Sequence, residues 1–462
     1  MPITSSELVR EFGLAAERGS GALFIGAGMS QTAGLPGWFK LIEEPQRRAG
    51  VPTMSDAPLM AQYIADSVVG RAALDAHVLS EITSAAPTDY AHVHELMAKL
   101  DVREIWTTNY DQFIETACTE AVAVWNDEGV SEIGSGPRTV FKIHGSSRAG
   151  SPPSWDAPPV LTRGDYERYE DTHRRLWSLL SAAYLSRTFL FLGFSFSDPN
   201  IELLQRLSRR YGLANNNRHM AVMRGPRDPD DLTRYAFQRD DLERSGIRIC
   251  EVDEYTDIDD LLAALVVRTR PPRVFISGSG TSTSFVAACE AMADELMDEL
   301  GWEYASLGGP AGWHTSSRMG KEQLARGTYD AGRFMFYFRR KDAPPPAMDS
   351  RIGTAVYSDL ARGPLVHAAL EKCRAMLVIG GGDRTGEEIR WAQSHDVGIV
   401  PLACAGGAAH EYWDTHRSSP PQLGSHPVDP ALWDRLNGPI TGAARAASTL
   451  MKQAMYHPSS PC

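Results

Sequence analysis

Ala22-Leu23-Phe24-Ile25-Gly26-Ala27-Gly28-Met29-Ser30 joins a short apolar run to a glycine turn. Four apolar residues bounded by glycine read as a buried parallel strand. Gly26, Ala27, Gly28 and Ser30 then form a phosphate-binding type of turn. Glycines let the backbone turn tightly and approach a pyrophosphate, while turn amides and the next helix's positive end face the charge. Alone this signal is weak, because Gly-x-Gly also serves as a plain tight turn.

Its surroundings make it specific. Three further apolar runs end in polar clusters: Thr107-Thr108-Asn109-Tyr110-Asp111, Lys142-Ile143-His144-Gly145, and Gly193-Phe194-Ser195-Phe196-Ser197-Asp198-Pro199-Asn200. Polar groups at the carboxyl ends of parallel strands converge on the crevice where open α/β sheets bind ligands. Strands are expected at 22–25, 104–107, 139–143, 188–192, 220–223 and 247–249. Helices are expected near 4–18, 58–69, 89–100, 111–122, 165–184, 199–210, 230–243 and 257–268. This alternation means a parallel sheet covered on both faces.

Arg270-Pro271-Pro272 stops the last of these helices. Val274-Phe275-Ile276-Ser277 then opens a second block with its own turn, Gly278-Ser279-Gly280. Further strands are expected at 333–338, 375–379 and 397–402, with helices at 284–300 and 430–455. The fold class is therefore α/β, with two Rossmann-like parallel-sheet domains, 1–270 and 271–462. Segments 341–346 and 147–160 read as loops within their blocks.

Composition narrows the function. The chain has 462 residues, enough for more than one core. Its 46 Lys+Arg against 58 Asp+Glu give a net charge of −12, which disfavours nucleic acid as a partner. The longest apolar stretch, Thr188 to Phe194, is far shorter than the roughly 20 residues of a spanning helix, so no membrane partner is expected. No secretory signal is visible at the start. The six scattered cysteines make no C-x-x-C pair, so neither a disulfide framework nor a structural metal is expected, and the cytoplasm fits best.

The four segments around Gly26, Asn109, His144 and Gly193, in this order, resemble the SIR2 family, specifically its bacterial branch tied to phage defence. The resemblance covers about residues 1–265. It implies NAD as the bound substrate, with no metal, and Asn109 and His144 as the catalytic pair. Asp111 and Ser30 would be supporting contacts, and Gly193, Ser195 and Asp198 would line the adenosine side. The residue types suit the chemistry. Breaking the nicotinamide–ribose bond develops oxocarbenium-like charge. A neutral imidazole takes or holds a proton near its pKa, and an amide positions water or ribose through paired donor and acceptor. A lone histidine or a turn asparagine is more often structural; the two together, in family order beside the glycine turn, favour cleavage.

Two departures refine this expectation. The four-cysteine zinc module of sirtuin deacylases is absent, since Cys250 is the first cysteine after His144. Gly34-Leu35-Pro36-Gly37-Trp38-Phe39 stands where deacylases carry an acidic-aromatic-basic trio. Water is then the favoured acceptor, making an NAD+ hydrolase. A deacylase or ADP-ribosyltransferase, and a non-catalytic nucleotide-binding adaptor, are the alternatives.

In the second block, Gly380-Gly381-Gly382-Asp383-Arg384-Thr385-Gly386-Glu387-Glu388 resembles the GGxGTxxE signature of the SLOG superfamily over about residues 272–455. Arg384 stands at the signature's fourth position, where the signature has glycine, which fits binding without cutting. Gly278, Ser279, Arg339, Gly381, Gly382, Thr385 and Glu388 are the expected activator-binding residues. SIR2 followed by SLOG resembles the effector family of the Thoeris antiphage system. That resemblance implies activation by a cyclic ADP-ribose isomer made by a TIR-domain partner protein, depletion of cellular NAD, and assembly as a homotetramer or filament.

Overall fold

The computed structural model describes residues 3–196, 198–210, 219–340, 352–424 and 426–456. The chain divides into two compact units, Met1–Val266 and Val267–Cys462.

The first unit holds β1 (Gly21–Ile25), β2 (Glu104–Thr107), β3 (Ala121–Val124), β4 (Arg138–Lys142), β5 (Ser146–Arg148), β6 (Ser154–Ala157), β7 (Thr188–Leu192), β8 (His219–Arg224) and β9 (Ile247–Val252). Seven of them form a parallel sheet in the order β3-β4-β2-β1-β7-β8-β9, and β5 and β6 pair as a separate hairpin. The chain builds β2, the edge strand β3 and the intervening β4 on one side of β1, then restarts at β7 on the other side. That reversal between β1 and β7 is a topological switch point, and ligands bind outside the strand ends there.

The chemistry of the strands explains their burial. Ala22, Phe24, Phe189 and Phe191 are fully enclosed, and Trp106 stacks on Phe141 with ring centroids 3.9 Å apart. Between β1 and β2 the chain inserts short helices at Trp38–Leu41, Glu43–Ala49, Ala57–Ala65 and Arg71–Ile82. They build their own apolar cluster from Leu41, Ile42, Met60, Ile64, Leu74 and Val78. This helical layer walls the strand ends on that side.

The second unit holds β10 (Arg273–Ser277), β11 (Glu303–Ser306), β12 (Phe334–Arg339), β13 (Thr354–Ser358), β14 (Ala375–Ile379) and β15 (Gly398–Leu402). They form a parallel sheet in the order β13-β12-β11-β10-β14-β15. Its switch point lies between β10 and β14. The molecule is thus α/β with two Rossmann-like parallel sheets, each reversing beside a glycine turn.

Several elements differ from the sequence expectation. The helix expected over 111–122 is confined to Phe113–Ala117, and Ala121-Val122-Ala123-Val124 turns into β3, since alternating β-branched residues favour a strand. The helix expected over 165–184 is three pieces, Arg163–Glu167, Tyr169–Thr172 and Arg174–Ser186. The last expected helix breaks at Gly438-Pro439 into Pro430–Asp434 and Ile440–Ala454. Segment 147–160 carries part of the β5–β6 hairpin. β11 and β13 were not anticipated. Segment 341–346 lies outside the described residues. Among the described residues no helix is long and apolar enough to cross a membrane, and no group of three or more His, Cys, Asp or Glu could hold a metal ion.

Candidate active site

A cavity of about 880 Å³ opens at the β1/β7 switch point. Ala27, Gly28, Ser30, Asn109, Asp111, His144, Gly193, Ser195 and Asp198 all line it. Gly26 does not.

Glycine is required at the turn by close approach. A Cβ on Gly26 would lie 2.4 Å from the Gly193 carbonyl oxygen, and one on Gly28 would lie 2.8 Å from Gly193 Cα. Gly193 itself has φ +62, and a Cβ there would meet the Met29 amide nitrogen at 2.6 Å. The turns after β1 and β7 are therefore interlocked backbone to backbone. The Gly28 amide donates to Gly193 O at 2.9 Å and the Met29 amide to Gly26 O at 3.1 Å. Those amides are committed within the protein, and the helix that follows is only Ala27–Gln31. The expected anion cradle of free amides and a helix end is weaker here than the sequence suggested.

Asn109 sits just past β2. Its amide nitrogen donates to Ser30 Oγ at 2.8 Å and to Gly26 O at 3.1 Å. Ser30 Oγ donates onward to Asp111 Oδ2 at 2.7 Å, while Asp111 Oδ1 accepts from the Phe113 amide. Both Nδ2 protons are thus spent, and Oδ1 is the polar side-chain atom left over. That oxygen is buried without a protein partner. A buried acceptor left open costs stability unless something donates to it, as a ribose hydroxyl or a water does.

Beneath this network lies an ion pair. Lys142, at the end of β4, is fully buried; its Nζ contacts Glu115 Oε1 at 2.7 Å and donates to the carbonyl of Asp111. Burial pushes the Glu115 carboxyl up, and Lys142 opposes that. The pair ties β4 to the segment that carries Asn109 and Asp111.

His144, two residues after β4, is 3% exposed. Burial pushes its pKa below the ordinary histidine value, the Asp198 carboxylate pulls the other way, and His173 lowers it further. The neutral imidazole is therefore favoured. Asp198 Oδ2 lies 3.4 Å from His144 Nε2, and Asn200 Nδ2 lies 3.5 Å from the same nitrogen. Tyr166 OH donates to Asp198 Oδ2 at 3.3 Å, and its ring meets the imidazole edge-on. Asp198 also caps the helix Pro199–Arg210, accepting from the Asn200 amide at 2.9 Å. The Asn200 amide nitrogen can only donate, so in that contact Nε2 is the acceptor and the ring proton of the neutral imidazole sits on Nδ1. The sequence reading placed Asp198 on the adenosine side; the structure sets it against His144. Ser197 lies outside the described residues.

The cavity has features the sequence reading did not name: Trp38 and Phe39 from the helical layer, Arg224 at the end of β8 and Tyr255 beyond β9. Arg224 ends an apolar strand and Tyr255 sits in an ordinary loop, so only the strand order reveals their company.

In the second unit the expected residues gather around β10 and β14, except one. A Cβ on Gly278 (φ +134) would fall 1.9 Å from Ile379 O. The Gly381 amide donates to Ser279 O at 2.8 Å. Gly382 caps the helix Asp383–Ser394 and faces open space. Thr385 Oγ1 lies where a Gly381 Cβ would point. Glu388 is buried; it accepts from Ser277 Oγ at 2.5 Å and from Arg362 Nη2 at 2.6 Å. Arg339 ends β12, two strands from β10, with an exposed side chain.

The first unit is thus a doubly wound sheet whose switch-point cavity joins a glycine turn to a buried asparagine and histidine. Residues 103–249 match the family model described as SIR2-like domain. The chain is similar to a protein named NAD(+) hydrolase ThsA from Enterococcus faecium, 29% identical over 65% of this chain and 66% of that one. Proteins of the same name from Acinetobacter baumannii (strain 532279) and Bacillus cereus (strain MSX-D12) are each 29% identical, over 57% and 56% of this chain and 56% of their own lengths. The matched stretches thus span less than two thirds of those relatives.

Proposed function

We propose that the chain is an NAD+ hydrolase of antiphage defence, releasing nicotinamide and ADP-ribose. The observation that carries this is the partnerless, buried Oδ1 of Asn109, a residue lining the cavity that also holds His144, whose burial favours the neutral imidazole. The names of the similar proteins support it. In this reading the bond from ribose C1′ to the nicotinamide nitrogen breaks and its electron pair leaves with nicotinamide. Water forms the new bond to C1′, positioned by donating to Asn109 Oδ1, and its proton passes to the His144 imidazole. Ser30 and Asp111 hold the asparagine; Asp198 and Tyr166 hold the histidine. NAD lies along the strand ends, with no metal required by this chemistry.

The reading extends to control. A cyclic ADP-ribose isomer, supplied by a TIR-domain partner, binds the SLOG-like second unit at the β10/β14 switch point and turns the hydrolase on, in a homotetramer or filament. A ligand shifts such an equilibrium only by its differential affinity for the two states. The test is nicotinamide release from NAD by the full chain, with and without cyclic ADP-ribose isomers. Release stimulated by one isomer is expected. Release that never responds to any isomer overturns the control scheme, and release that requires an acyl-lysine peptide overturns hydrolysis in favour of deacylation.

A further inference from the structure

The cavity of the first unit is lined by four carboxylates, Asp56, Asp111, Asp198 and Glu202, and by one guanidinium, Arg224. For a ligand with a pyrophosphate this is an unusual balance, because the glycine turn has spent its Gly28 and Met29 amides on Gly193 O and Gly26 O. Arg224 is therefore the principal cation offered to a bound dinucleotide. It is half-buried, and its guanidinium lies over the Tyr255 ring, 4.4 Å from the centroid. Among the described residues no carboxylate is within ion-pair distance of it. Glu202, the acid on the neighbouring helix, is 3.8 Å from Arg206 instead. A stacked guanidinium with its edge donors uncommitted is a ready phosphate receptor.

The strand order says which phosphate. His144 follows β4, Asn109 follows β2, the glycine turn follows β1, and Arg224 ends β8. From β4 to β8 is four interstrand steps, about 19 Å, and from β1 to β8 two steps, about 10 Å. With the scissile ribose at Asn109 and His144 and the pyrophosphate at the glycine turn, the group reaching Arg224 belongs to the adenosine ribose. Dinucleotide sites that select NAD place a carboxylate on the 2′-hydroxyl, whereas an arginine nearby accommodates a 2′-phosphate. β8 ends in the arginine.

We propose that Arg224, steadied by Tyr255, is the specificity-determining residue of the adenosine ribose and receives a 2′-phosphate, so that the cavity takes NADP as well as NAD. This rests on the dinucleotide orientation of the NAD-cleaving reading, but its first test needs no turnover. Calorimetry on the full chain compares adenosine 2′,5′-bisphosphate with 5′-AMP. The bisphosphate is expected to bind about tenfold or more tightly, as charge-assisted hydrogen bonds to one phosphate allow. Arg224→Gln brings the ratio of the two affinities to about one, and Arg224→Lys keeps part of it. Equal affinities in the parent, or a ratio that survives Arg224→Gln, overturns the proposal. So does a loss of both ligands in equal proportion, which assigns Arg224 to the shared 5′-phosphate. The second readout is kcat/KM for NADP divided by that for NAD, expected to fall about tenfold in Arg224→Gln through KM. If the bisphosphate preference is present while neither dinucleotide is cleaved, the hydrolase reading fails and this one stands.

Discussion

Asn109 is fixed by what its nitrogen does. With both Nδ2 protons given to Ser30 and Gly26, the amide cannot flip without losing two hydrogen bonds, so Oδ1 is the atom that the proposed reaction must use. Ser30→Ala removes one of those acceptors and the donor to Asp111; about a tenfold loss in kcat with little change in KM is expected, measured by nicotinamide release. In the proposed reaction His144 is a neutral base, and burial holds its pKa below the ordinary value of 6.5. The pH–rate profile should therefore be flat around neutrality. Its acid limb falls below pH 6.5, with about tenfold lost per pH unit beneath the folded pKa. A limb centred above pH 7 would contradict a buried neutral base. Both residues were legible because each directly follows an apolar run at a strand's carboxyl end. Arg224 was not, since one arginine after Met220-Ala221-Val222-Met223 looks like any solvated strand end until the sheet order places it beside Gly193.

Elements hold these atoms through contacts that sequence shows only in part. The Lys142–Glu115 pair sits beneath Asp111 with Lys142 fully buried. Lys142→Met strands the Glu115 carboxylate, and a cost of about 3–5 kcal/mol is expected in denaturant unfolding. Adding Glu115→Gln should recover a large part of it, because the penalty is an uncompensated charge rather than lost packing. A double variant as unstable as the single would argue against that account. The interlocked turns make a second case. Gly193→Ala combines positive φ with a 2.6 Å approach to Met29, and about 1–3 kcal/mol with impaired NAD binding is expected from melting and calorimetry. The strands β1, β2, β4 and β7 were readable as compact apolar runs. β11 and β13 were not: Glu303-Tyr304-Ala305-Ser306 is short and mixed in polarity, and β13 is a half-exposed edge strand. The short helices of the layer over β1 and β2 were largely hidden too, as they are stabilised by packing on one another rather than by their own periodicity.

Across the whole molecule, the same device occurs twice: a parallel sheet reversing direction at a glycine turn, once beside Gly26 and Gly193 and once beside Gly278 and Gly380. Sequence made both turns visible and left their surroundings to the fold. In the first unit the surroundings carry Asn109 and His144; in the second, Glu388 is engaged by Ser277 and Arg362. Under the proposed control scheme, Arg362→Ala is expected to change the activator concentration needed for half-maximal nicotinamide release, and an unchanged dose response would remove Glu388 from the proposed activator site. Stability has its own pH signature. His94 and His144 both have pKa values lowered by burial, so the unfolded chain binds more protons than the folded one as acid is added. Their contribution is complete above pH 6.5 and declines as pH falls through the interval down to each folded pKa, by up to about 1.4 kcal/mol per pH unit for each histidine. Thermal melts between pH 7.5 and 5 read this directly. The central claim is tested most directly by the rate of nicotinamide release from NAD by the activated full chain and by Asn109→Ala at matched folded fraction: the account expects a loss of at least about a hundredfold in kcat, whereas equal rates would contradict it.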